Sequence, residues 1–187
     1  MSHIYLIRHG RPSSVWGGAD SDPGLDPVGR AQAALAAQVM LGLPLGERPT
    51  RVVSSPLRRC LETAHPFVEA LGSDLEILPA VGEIPTPRSV PDRGSWLSQA
   101  LRGQWSEVRG DLDYLAWKGD IVSAVAARPG AAIFTHFVAI NAVVSQLSGE
   151  SAVTVFRPGH ASITVLEESG GALRIISLGS EASTGVL

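Results

Sequence analysis

Arg8 and His9 stand directly after a short apolar run, Ile4 to Ile7, in a chain of 187 residues. Two comparable junctions follow. Ser54, Ser55 and Pro56 lead from Arg51–Val53 into Arg58 and Arg59, and Thr135 and His136 come after Ala131–Phe134. A further short run, Leu75 to Leu78, opens into a loop that carries Glu83. Two histidines, two or more arginines and a loop carboxylate suit phosphoryl transfer without a metal. Guanidinium forks hold the non-bridging oxygens, a histidine attacks phosphorus, and a carboxylic acid protonates the leaving oxygen. The attacking imidazole has to be neutral. The acid has to keep its proton near neutral pH, which burial or a neighbouring anion provides.

Those junctions do chemistry together only if the fold brings them to one place. Short apolar runs alternate with longer helical patterns, the signature of an α/β domain, and ligands of open α/β sheets gather outside the carboxyl ends of the strands. Asp26 as cap and Pro27 at the first position open a helix whose apolar face reads Val28, Ala31, Leu35 and Val39, with Gly42 past its end. Ser55 is the expected cap of a second helix, with Leu57, Cys60, Leu61, Ala64 and Val68 inward, a kink at Pro66 and a stop at Gly72. A third is expected from about Asp111 to Arg128 with Leu112, Leu115, Val122 and Val125 inward, and an apolar helix follows His136 to about Leu147. Ser162–Glu167 and Ala172–Ser177 alternate as strands around Ser169, Gly170 and Gly171, a hairpin signal. Residues 84–110, with Arg88, Arg93, Arg102, Trp96 and Trp105, read as a small cap, partly helical from Ser95.

Composition excludes several function classes. A net charge of −3 and a pI near 5.9 argue against a nucleic-acid binder working through a broad basic surface. Lys118 is the lone lysine among 15 basic residues, so the positive charge is carried by arginine, whose planar fork matches phosphate. Cys60 is the single cysteine and reads as core, leaving no disulfide and no multi-cysteine metal site. The opening MSHIYLIRHG lacks the apolar stretch of a signal peptide, and no run approaches the roughly 18 apolar residues of a membrane span. A single cytoplasmic domain spanning 1–187, with no membrane partner, is the expectation.

Leu6, Ile7, Arg8, His9 and Gly10 resemble the RHG signature of the histidine phosphatase superfamily. Val53–Arg59 with Glu62, Thr63 and Ala64 is similar to its SSPLxRxxQTA block, Leu25–Ala33 to its LTxxGxxQA helix, and Thr135–His136 to the segment of its second histidine. The blocks fall in the family's order over residues 4 to about 147. The resemblance implies a three-layer α/β/α sandwich with a mostly parallel central sheet, like that of phosphoglycerate mutase. It implies His9 as the nucleophile, Arg8 and Arg59 as phosphoryl ligands, His136 as the group completing the pocket, and Glu83 as general acid. Arg59 rather than Arg58 aligns with the family's arginine.

Departures bear on the substrate. Arg11 follows Gly10 where Glu, Gln or Thr is common, making it a candidate substrate-binding residue, and Phe137 follows His136 where glycine is usual. Pro85 to Pro87 replace the FGxWEG continuation after Glu83. Only 53 positions separate Glu83 from His136, too few for the large insertion of the mutases. The expectation is a cofactor-free phosphomonoesterase acting on a phosphorylated small molecule through a phosphohistidine. A phosphohistidine or phosphoserine protein phosphatase, a mutase and a non-catalytic phosphate-binding module are the alternatives. His160, ahead of the hairpin, is read as structural rather than as part of the pocket. Specificity is expected in residues 84–110 and around Arg11 and Arg157.

Overall fold

The computed structural model describes residues 2–14 and 20–182. Six strands form one sheet in the order β3-β2-β4-β1-β5-β6. These are β1 (Ser2–Arg8), β2 (Arg51–Ser54), β3 (Leu75–Ile77), β4 (Ala131–Thr135), β5 (Ile163–Ser169) and β6 (Ala172–Ser177). The first four in that order pair in parallel, and β5 and β6 add to β1 as an antiparallel edge. Five α-helices occur among the described residues: α1 (Pro27–Leu41), α2 (Arg58–Leu71), α3 (Arg93–Arg102), α4 (Tyr114–Ala126) and α5 (Phe137–Ser148). None is long and apolar enough to cross a membrane.

Strand alternation divides the core into two layers. Ile4, Leu6, Val53, Ala131 and Ile133 face α4 and α5, whereas Tyr5, Ile7, Val52, Ala132 and Phe134 face α1 and α2. The central strands are therefore apolar on both sides, as a parallel sheet covered by helices requires. From Phe137 to Ser145 every residue of α5 is buried, which explains its continuously apolar sequence.

Two helix faces differ from the sequence reading. In α1 the buried residues are Gly29, Ala33, Ala36, Ala37 and Met40, while Val28, Ala31, Leu35 and Val39 lie outside, Leu35 at 61% exposure. Small residues let α1 approach α2 and the loop after β1 closely, so the larger aliphatic side chains are the ones excluded. In α4 the helix begins at Tyr114, because the Asp113 carboxylate accepts from the backbone N–H groups of Leu115 and Ala116 at 3.0 Å and caps it there. Leu112 and Leu115 are consequently exposed, and Tyr114, Lys118, Ile121 and Val125 turn inward. Trp96 and Trp105 pack down: Trp105 is buried with its indole N–H on Ser145 Oγ at 2.9 Å, and Trp96 donates to the Arg109 carbonyl at 2.8 Å. The hairpin turns on Gly170 and Gly171, at φ of 62° and 86°, which suits the primed turns that join two strands tightly.

One close approach ties α1 to the loop after β1. A Cβ on Gly10 would lie 2.6 Å from the Gly29 carbonyl oxygen, and a Cβ on Gly29 would run into the carbonyl oxygen of Arg11. Backbone meets backbone here, so neither side can rotate away. Gly29→Ala is expected to cost about 1–3 kcal/mol through overpacking and to lower Tm by several degrees. Gly119→Ala, at an exposed site on α4 where a Cβ meets nothing within 4 Å, should hold or slightly raise Tm. Equal melting temperatures for the two variants would contradict the contact.

Candidate active site

Because β2, β4 and β1 are parallel neighbours, their carboxyl ends lie along one edge of the sheet. The register sets Arg8 opposite Thr135 and Ser54 opposite Phe134. Backbone hydrogen bonds continue past the strands: His9 N–H donates to the Thr135 carbonyl at 2.9 Å, and Ser55 N–H to that of Phe134 at 3.0 Å. The segment before Glu83 is fastened to the same edge, with Leu78 N–H on the Ser54 carbonyl at 2.8 Å and Thr135 Oγ1 donating to the Val81 carbonyl at 2.6 Å. The three junctions and the loop carboxylate thus meet in space.

His9 is 6% exposed. Its Nδ1 lies 2.8 Å from the Gly10 carbonyl oxygen, a partner that can only accept, so Nδ1 carries the proton and Nε2 keeps its lone pair. Gly10 is itself held by its N–H donating to Thr63 Oγ1 at 2.9 Å, while that hydroxyl donates to the Arg59 carbonyl at 2.6 Å. Burial, followed by the neighbouring His136, Arg8 and Arg59, pushes the His9 pKa well below its ordinary value. The ring is neutral at physiological pH.

His136 is fully buried, and its ring centroid lies 5.3 Å from that of His9 in an edge-to-face arrangement. Arg59 Nη2, which can only donate, is 3.2 Å from His136 Nδ1, so Nε2 bears the proton and donates to Ser55 Oγ at 2.8 Å. Ser55 is therefore not the cap of α2. That position falls to Leu57, whose N–H reaches Ser55 Oγ at 3.3 Å, and the serine hydroxyl serves His136 instead. Cys60, in the core as expected, lies against the same ring with Sγ 3.3 Å from Nε2. Burial and the two arginines keep His136 neutral as well.

Both guanidinium groups are nearly excluded from water. Arg8 Nη1 donates to the Pro158 carbonyl at 2.8 Å, its Cζ lies 5.2 Å from the centre of the Phe137 ring, and its buried Nε has no hydrogen-bond partner among the described residues. Desolvation lowers the Arg8 pKa to about 10, with the nearby Glu83 opposing that shift and Arg59 adding to it. Arg59 Nη1 is 3.8 Å from Asp22, whose carboxylate also accepts from Arg58 N–H at 3.0 and 3.2 Å at the start of α2. Glu83 accepts from the Ile84 N–H at 2.9 Å. Its burial raises the carboxyl pKa despite that bond and both arginines. A neutral nucleophile-competent imidazole, a second neutral imidazole, two cations and a carboxyl group able to hold its proton occupy one recess.

Arg11 is placed differently. Its side chain is 47% exposed and Nε pairs with the α1 cap Asp26 at 2.6 Å, leaving it at the surface beside the recess rather than in it. Three other residues carry weight that their sequence context conceals. Thr63 and Asp22 support Gly10 and the arginines through contacts 53 and 36 positions apart in the chain. His160, read from sequence as structural, has its ring centroid 5.8 Å from that of His9.

Residues 4–88 match the model of the histidine phosphatase superfamily (branch 1). No curated protein sequence matches the chain. Among solved structures, the mycobacterial glucosyl-3-phosphoglycerate phosphatase superposes with a TM-score of 0.72 at 20% identity, covering 97% of this chain and 100% of that one. The phosphoserine phosphatase of Entamoeba histolytica, in complex with 3-phosphoglyceric acid, gives 0.73 at 20% identity over 96% and 98%. These likenesses are likenesses of fold. The family match spans the segment that carries Arg8, His9, Arg59 and Glu83, so this part of the chain is similar to the histidine phosphatase superfamily.

Proposed function

We propose that the protein is a phosphatase that hydrolyses a phosphate monoester of a small molecule through a phosphohistidine at His9. The observation that carries this reading is the locked tautomer of His9: Nδ1–H is committed to the Gly10 carbonyl, and Nε2 keeps an unprotonated lone pair near two buried arginines. In the first half-reaction Nε2 attacks phosphorus, the P–O bond to the leaving group breaks, and the Glu83 carboxylic acid gives its proton to the departing oxygen. Water then attacks phosphorus, its proton passes to the Glu83 carboxylate, and the P–N bond breaks to release phosphate. Arg8 and Arg59 hold the equatorial oxygens throughout, His136 positions Arg59 through Nδ1, and the buried Arg8 Nε–H would gain an acceptor at the phosphoryl group.

On this reading residues 84–110 form a cap on a single domain, and Arg8, Arg59 and the uncharged histidines meet the charge of a phosphoryl group without a metal or other cofactor. A nucleophile only 6% exposed suits a slender ester better than a side chain on a folded protein. The two named neighbours above are phosphatases of glucosyl-3-phosphoglycerate and of phosphoserine, both small phosphate monoesters.

Two variants test the assignment. His9→Ala should abolish hydrolysis of an aryl phosphate while leaving Tm close to wild type, and retained turnover would contradict the nucleophile. Glu83→Gln should lower kcat on alkyl phosphates by about 10²–10⁴ and much less on aryl esters whose leaving groups need no proton. The pH profile follows from the signs. The reactive form has His9 neutral and Glu83 protonated, so kcat/KM should fall as pH rises through the elevated Glu83 pKa, and that limb should vanish in Glu83→Gln.

A further inference from the structure

His160 is a third imidazole in a site whose proposed chemistry uses two. It sits on the turn Pro158–Ala161, which is bolted to the end of β1 from both sides. Arg8 Nη1 donates to the Pro158 carbonyl at 2.8 Å, and Ala161 N–H reaches the Arg8 carbonyl at 3.0 Å and the His9 carbonyl at 3.3 Å. Gly159 N–H is held in turn by the Ser180 carbonyl at 2.8 Å. Ala161 has a φ of 56°, the only positive value on a non-glycine among the described residues. L side chains rarely adopt that conformation, and strain of this kind gathers at functional sites.

The turn delivers the His160 ring beside His9, with centroids 5.8 Å apart and planes inclined at 45°. The ring is half-buried and makes no hydrogen bond among the described residues. A packing role would not require a polar ring on an anchored, strained turn next to the nucleophile. Burial, with Arg8 and then Arg11 adding to it, brings the His160 pKa to about 4, so at neutral pH it keeps one N–H to donate.

We propose that His160 contacts the phosphoryl group as it moves between substrate and His9, donating a hydrogen bond to one of its oxygens. The inference rests on the phosphatase reading above. It gives this site a donor set of two guanidiniums and one imidazole around the nucleophile, with His160 on the β5 side of the sheet edge. A neutral donor there stabilises oxygen charge without adding a third cation to a recess that already desolvates two.

Orthovanadate, a five-coordinate mimic of phosphorus in flight, is the probe, with inhibition of aryl phosphate hydrolysis and Tm as paired readouts. H160A and H160F should each weaken vanadate inhibition by about tenfold or more, the loss of one hydrogen bond to a charged group. H160N, whose amide restores a donor, should return close to wild type. Unchanged vanadate inhibition in H160A would overturn the proposal. So would recovery in H160F to the level of H160N, because an apolar ring of similar shape restores packing and not donation. A wild-type protein that neither hydrolyses aryl phosphates nor binds vanadate defeats the phosphatase reading itself, and this proposal with it. Activity in wild type with no response at position 160 defeats this proposal alone.

Discussion

Two guanidinium groups held almost out of water are the constraint on which the rest of the structure depends. A buried cation without compensation costs several kcal/mol, and Arg8 and Arg59 lie near one another, each 5% exposed. The fold meets this cost locally. Arg8 takes a backbone carbonyl and the face of Phe137, and Arg59 takes His136 and the more distant Asp22. For Arg8 these partners leave the Nε–H without an acceptor among the described residues. Desolvation prevails in the lowered pKa of Arg8, and burial together with the two arginines keeps both histidines neutral. A site under that strain favours a dianion, and it is a local property: the whole chain carries a net charge of −3.

Neutral histidines follow from burial first and from the cations second, and the tautomers follow from the neighbours. Gly10 takes the Nδ1 proton of His9, and Arg59 forces the opposite tautomer on His136. Glu83 experiences competing influences, since the arginines favour its anion and burial favours its acid. Burial prevails. The scaffold that holds these groups is backbone: strand ends in register, Gly10 against Gly29, and the β1 end clasped by the 158–161 turn. Precision of this sort cannot come from long side chains on loops.

The α/β alternation, the strand ends and the positions of Arg8, His9 and His136 were legible because each depends on local signals: short apolar runs, a Pro after a cap, polar pairs at strand ends. Which side of a helix faces inward was less so. In α1 hydrophobicity pointed to Leu35 and Val39, but close approach to the Gly10 loop demanded small residues, and the alanine and glycine face won. In α4 a cap at Asp113 shifted the start by about three residues and left Leu112 and Leu115 outside, while Val125 is buried as expected. Thr63, Asp22 and His160 were illegible for a different reason. Their value lies in contacts across 36 to 151 positions of chain, and no local pattern marks a threonine that props a glycine or a histidine on a turn.

The central claim is that burial and two neighbouring arginines keep His9 neutral and make it the covalent acceptor of phosphate. It is tested most directly by quenching the enzyme in alkali during turnover of a ³²P-labelled ester and locating the label by peptide mass spectrometry. The account predicts label on His9, stable to base and lost in acid, as a phosphoramidate should be. Label on Ser55, or none while phosphate is released in bursts, would contradict it.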